Sequence, residues 1–91
     1  MIQKLTASIR NISSWIRWKR AASISIEMYR RAKTREDNDA IAEWSNNAVD
    51  DVICMLEHNL PILTNRFIDK NYDILMDIRR TCLLNDLYGR G

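Results

Sequence analysis

Glycine is absent from this 91-residue chain until Gly89, and its only proline is Pro61. Sheets and tight hairpins are punctuated by these two residues, so a chain that withholds them for sixty residues before Pro61 favours long helices. A short strand over Ala22 to Met28 is conceivable, because Ile24, Ile26 and Met28 alternate with Ser23, Ser25 and Glu27. No second strand stands out to pair with it, and helix is the better reading. The expected fold class is all-α.

The first apolar series is Ile2, Leu5, Ile9, Ile12 and Ile16, spaced 3, 4, 3 and 4, the seam of a 3.5-residue repeat. It ends there, since the next seam positions are Lys19 and Ser23. A second series follows, formed by Trp15, Trp18, Ala22, Ile26 and Tyr29. At about 100° per residue it lies nearly opposite the first. Two opposed apolar faces on one helix imply either a bend near Arg17 to Arg20 or two halves with different partners. The second option is preferred: residues 1–17 form a basic amphipathic arm that projects, and residues 18–91 form a single helical domain.

Thr34 with Asp37 reads as a weak capping box, with Glu36, Asp37 and Asp39 suited to the positive end of a helix dipole. A second helix is expected to start there and to end near His58 and Asn59, ahead of Pro61. Its core stripe is Ile41, Trp44, Ala48, Val52, Met55 and Leu56; Asp39, Glu43, Asp50 and Glu57 make an acidic opposite face. Pro61 suits the first turn of a third helix, with a stripe of Thr64, Phe67, Asn71, Leu75, Ile78 and Cys82. Asn71 is polar in that seam, and either sets register from a buried position or caps a restart where the helix breaks. The sum is a three-helix antiparallel bundle or helical hairpin with a long N-terminal amphipathic helix, completed by dimerisation where its apolar faces are left uncovered.

Charge is segregated along the chain. Residues 1–33 carry eight basic and one acidic side chain, residues 34–61 one basic and seven acidic, and residues 62–91 five basic and four acidic. The net charge of +2 conceals this dipole. Such asymmetry bears on partners and association rather than on fold.

At this length a folded chain hides only roughly 60–65% of the surface of its unfolded form, which makes the core thin and raises the value of a partner. The longest uncharged run, His58 to Asn65, is far short of the ~20 residues that span a bilayer. Two cysteines, Cys54 and Cys82, are too few for a secreted disulfide framework, and no signal peptide is evident. A cytoplasmic location is expected. The acid-free, Arg- and Ser-bearing residues 1–26 also have the profile of an organelle targeting segment.

Catalytic apparatus is hard to find. His58 is the only histidine and suits the C-terminal end of the second helix, where the dipole favours its protonated form. There is no Cys-x-x-Cys, Gly-rich phosphate loop, G-x-S-x-G or H-E-x-x-H. The acidic residues of the second helix are strung over several turns and lack the spacing of a calcium loop. No enzyme activity, no metal site, no cofactor and no small-molecule substrate are expected.

Three binding roles remain. The favoured one is protein–protein interaction, as an inhibitor, adaptor or assembly subunit. An apolar ridge of Ile2, Leu5, Ile9, Ile12 and Ile16 would dock in a partner's groove or against a second copy, with Trp15 and Trp18 as candidate anchors. Tryptophan fills cores as readily, and Trp44 suits that role more strongly. The alternative is nucleic-acid binding through the anion-binding candidates Arg10, Arg17, Lys19, Arg20, Arg30, Arg31 and Lys33. The helices are too long for a compact helix-turn-helix, and the acidic second helix would repel phosphate. Third is a membrane surface, with residues 1–20 lying in the interface and the isoleucines turned down.

Overall fold

The computed structural model describes the backbone of residues 2–88 and the side chains of residues 10–87. Every described element is an α-helix: α1 (Ile2–Arg35), α2 (Asn38–Glu57), α3 (Pro61–Lys70) and α4 (Tyr72–Tyr88). The expected count of three is therefore corrected to four. The third predicted helix is split at Asn71, which caps α3 with φ −111° and ψ 20°. Its Nδ2 donates to the Phe67 carbonyl at 2.9 Å, while its own carbonyl accepts the Leu75 amide at 2.9 Å and opens α4. A side chain that satisfies the ending backbone competes with helix continuation, and here it does so at the polar position of a stripe that is apolar on either side, at Phe67 and Leu75.

α1 runs without interruption through the boundary expected after residue 17. At about 1.5 Å per residue its 34 residues span roughly 51 Å, against a longest molecular dimension of 54 Å, so this one helix sets the length of the molecule. It ends in a Schellman-type motif. The Glu36 amide donates to the Lys33 carbonyl and the Asp37 amide to the Ala32 carbonyl, both at 3.1 Å, with Glu36 at φ 56°. The N-cap of α2 is Asp37, which accepts the Ala40 amide at 3.2 Å. Thr34, half of the expected capping box, lies inside α1 and donates to the Arg30 carbonyl at 3.0 Å.

The core is built on the second of the two α1 stripes. Trp15, Ala22, Ile26 and Tyr29 are buried with Ala48 and Met55 of α2, Phe67 of α3 and Ile78 of α4. α1 and α2 make the most extensive helix pair. Small buried residues line it, Ala22, Ser25 and Ala32 on one side and Ser45 and Ala48 on the other, which lets the axes approach closely. Ser25 fastens the pair by donating to Asp51 at 2.7 Å. α4 is tied to α1 by Tyr29, whose hydroxyl donates to Asp77 at 2.6 Å and lies 2.8 Å from the Thr81 hydroxyl.

Candidate functional site

α2 carries more apolar surface than the bundle covers. Ala48 and Met55 face the core, whereas Ile53 and Leu56, on the neighbouring row of the same helix, are 46% and 53% exposed. Leu56 was expected in the core stripe and is corrected to the surface. Across from them stand Tyr72 and Met76 of α4, 55% and 42% exposed. Together with Val49, Val52, Ile68, Leu75 and Ile78 these residues line an open groove of about 520 Å³ between α2 and the α3–α4 junction. Arg79 is the one charged residue in its lining. Contiguous exposed apolar surface of this kind marks an interaction site more often than scattered single residues do.

The groove has a charged rim. On α2, Asp50 and Glu57 are exposed and lie about one helical turn to either side of Ile53. On α4, exposed Asp73 precedes Met76 by one turn, and exposed Arg79 and Arg80 follow it. The Tyr72 end is therefore acidic. Among the described residues none of Asp39, Glu43, Asp50 and Glu57 is within ion-pairing distance of a cation; the ion pairs are Arg31–Glu27 at 3.3 Å and Lys33–Asp77 at 3.6 Å. The acidic face of α2 is solvated rather than spent on α1.

The residues singled out in the sequence fall in several places. Ile12 and Ile16 are exposed, while Trp15 is buried at 5% exposure and donates its indole N–H to Thr64 at 2.9 Å. Trp18 is half-buried and packs against the core. Ile2, Leu5 and Ile9 lie outside the residues whose side chains are described. Arg10, Arg17, Lys19, Arg20, Arg30, Arg31 and Lys33 are all exposed. They are distributed around α1 rather than gathered on one face: Lys33 turns to Asp77, Arg31 to Glu27, and Lys19 sits over the Trp15 ring at 5.8 Å.

A second concavity, of about 370 Å³, opens between α1 and α3. Lys19 and Ser23 of α1 face Arg66 and Lys70 of α3 across it, above Trp15 and Phe67. Sequence reasoning missed Arg66 and Lys70. Their i, i+4 spacing on one helix face was a usable signal, but nothing in the chain announced that Lys19 would stand opposite.

Among the described residues no group of three or more His, Cys, Asp or Glu side chains is placed to hold a metal ion. The Tyr29 phenol is pushed up to about 12 by burial and by its bond to Asp77. Desolvation and the carboxylates of Glu57, Asp51 and Asp50 push the Cys54 thiol up from its ordinary value. His58 Nδ1 lies 2.7 Å from the Cys54 carbonyl, a local contact within the end of α2. Cys54 and Cys82 are both free thiols.

The chain matches no protein-family model, no curated protein and no solved structure. No helix among the described residues is long and apolar enough to cross a membrane.

Proposed function

We propose that this chain is a non-enzymatic protein-interaction module that receives an amphipathic helix with a basic flank in the groove between α2 and α4. The observation that supports this is the groove's composition: nine of its ten lining residues are apolar or aromatic, and they come from facing helices. Helix-in-groove recognition uses apolar anchors at i, i+3, i+4 and i+7, and a trough between two helices accepts such a row. Along the rim Asp50, Glu57 and Asp73 outnumber Arg79 and Arg80, and the Glu57 and Asp73 end favours a positive flank on the bound helix, because like charges at the edge would be repelled. The chain's own first sixteen residues have this chemistry, with isoleucines in 3-4 spacing beside Lys4 and Arg10.

A labelled peptide of residues 1–20 is a suitable probe, titrated against the full chain by fluorescence anisotropy. Saturable binding that is lost on Ile53→Asp or Met76→Asp, with helicity retained, is the expected result. Replacing Ile9 and Ile12 of the peptide by Asp should also abolish it. Sedimentation of the unlabelled chain then names the occupant: self-association removed by Ile53→Asp makes it a second copy, and a persistent monomer makes it another protein. A peptide that fails to bind the intact chain, or binds the groove variants equally well, would refute the proposal.

A further inference from the structure

We propose that the cleft between α1 and α3 is an anion site for a small ligand bearing two linked phosphoryl groups, held by Lys19, Arg66 and Lys70. These three cations come from two helices and line one concavity that contains no carboxylate. Among the described residues none of them takes part in an ion pair. Convergent, unneutralised positive charge works against the compact state, and an anion seated between the three relieves it. Ser23 adds a hydroxyl donor from the α1 wall.

The floor strengthens the case. Trp15 and Phe67 are buried beneath the cleft, so an anion there has apolar protein on one side instead of water, which strengthens its attraction to the cations. Lys19 is already held over the Trp15 ring at 5.8 Å, which restrains part of the site before any ligand arrives. Arg66 supplies the planar fork that pairs two phosphate oxygens at once.

Size and charge define the ligand class. A cleft of about 370 Å³ stands at the small end of ligand pockets, which run from roughly 300 to 1,000 Å³. Two phosphoryl groups carry roughly −3 to −4 between them, a match for three cations. A long polyanion fits less well. On the far side of Lys70 the next cleft sets Asp69 and Asp73 against Arg30 and Lys70, so positive charge is balanced there rather than continued as an unneutralised strip. This site shares no residue with the α2–α4 groove and stands or falls independently of it.

Isothermal titration of the full chain with sodium pyrophosphate at low ionic strength tests the assignment. One saturable site is expected, weakened about tenfold or more by Arg66→Ala and by Lys70→Ala, each of which removes a charge-assisted contact. Arg35→Ala and Arg80→Ala change the net charge equally but lie elsewhere, and should leave affinity essentially unchanged. All four positions are exposed, so retained helicity by circular dichroism is expected throughout. Absence of saturable binding would overturn the proposal, as would equal losses in all four variants, which would show diffuse charge alone. Tighter binding of a single-stranded oligonucleotide than of pyrophosphate, equally sensitive to Arg35→Ala, would also overturn it and point to nucleic acid.

Discussion

The Trp15 indole N–H donates to the Thr64 hydroxyl at 2.9 Å, joining residues 49 positions apart with both side chains buried. This bond locks α3 onto α1 and places Arg66 and Lys70 beside Lys19. Thr64→Val keeps the shape but strands a buried donor, at a cost of about 1–3 kcal/mol. Thr64→Ser should recover most of that. Urea unfolding of the two variants measures the difference, and equal stability would show that the indole finds another partner.

Tyr29 gives the fold a dependence on alkaline pH. Its neutral form is favoured in the folded state, where burial and the bond to Asp77 raise the phenol from 10.0 to about 12. A group with a raised folded-state value contributes fully below its unfolded value and loses that contribution as pH climbs through the folded one. The melting temperature should therefore fall between pH 10 and about 12 by more in the wild type than in Tyr29→Phe. At neutral pH the same substitution should cost about 1–2 kcal/mol, because Asp77 loses a donor. Parallel melting curves across that range would remove Tyr29 from the account.

Glu36 occupies the left-handed region at φ 56°, where a Cβ is unfavourable. Glu36→Gly should stabilise the chain by roughly 0.5–1 kcal/mol after the added freedom of glycine in the unfolded state is subtracted. Asn59, at φ 55°, already has a side chain that tolerates this conformation, and Asn59→Gly should change little. Thermal melts of the two variants distinguish the positions. A loss of stability on Glu36→Gly would contradict the strain argument.

Met55 and Leu56 are neighbours with opposite fates, one fully buried and the other facing the groove. Met55→Ala should cost about 2–5 kcal/mol, whereas Leu56→Ala should stay within about 0.5 kcal/mol in the isolated chain. Denaturant midpoints check both values. A large loss at Leu56 in dilute protein would mean that the groove is closed against something even there.

Several features could be read from local patterns. The absence of Gly and the single Pro61 called for helices, because helix formation rests on i to i−4 bonds that nothing in the chain interrupts. Pro61 does open α3, and the stripe of Ala22, Ile26 and Tyr29 does face the core. Local competition was harder to judge. Thr34 with Asp37 reads as a capping box, yet Asp37 itself caps α2, because the left-handed turn at Glu36, which sequence does not advertise, leaves Thr34 inside α1. Asn71 presented two roles, and the break prevailed because its side chain satisfies the Phe67 carbonyl as α3 ends.

The candidate sites were less legible than the helices. Ile53, Leu56, Tyr72 and Met76 have the composition of core residues, and only the placement of α4 against α2 leaves them facing outward. Trp15 belongs to the same apolar stripe as Trp18, yet its burial depends on a hydroxyl forty-nine residues away.

Sequence by itself determined the helical character of the described chain, the covered stripe in the second half of α1 and the separation of basic from acidic segments. These follow from side-chain spacing and from the presence or absence of breakers, both local properties. Tertiary structure decided which remaining apolar rows stay open and which distant cations converge, because burial and electrostatic company depend on what another helix brings alongside. A 3.6-residue period can say that residues share a face; only packing says whether anything lies opposite it.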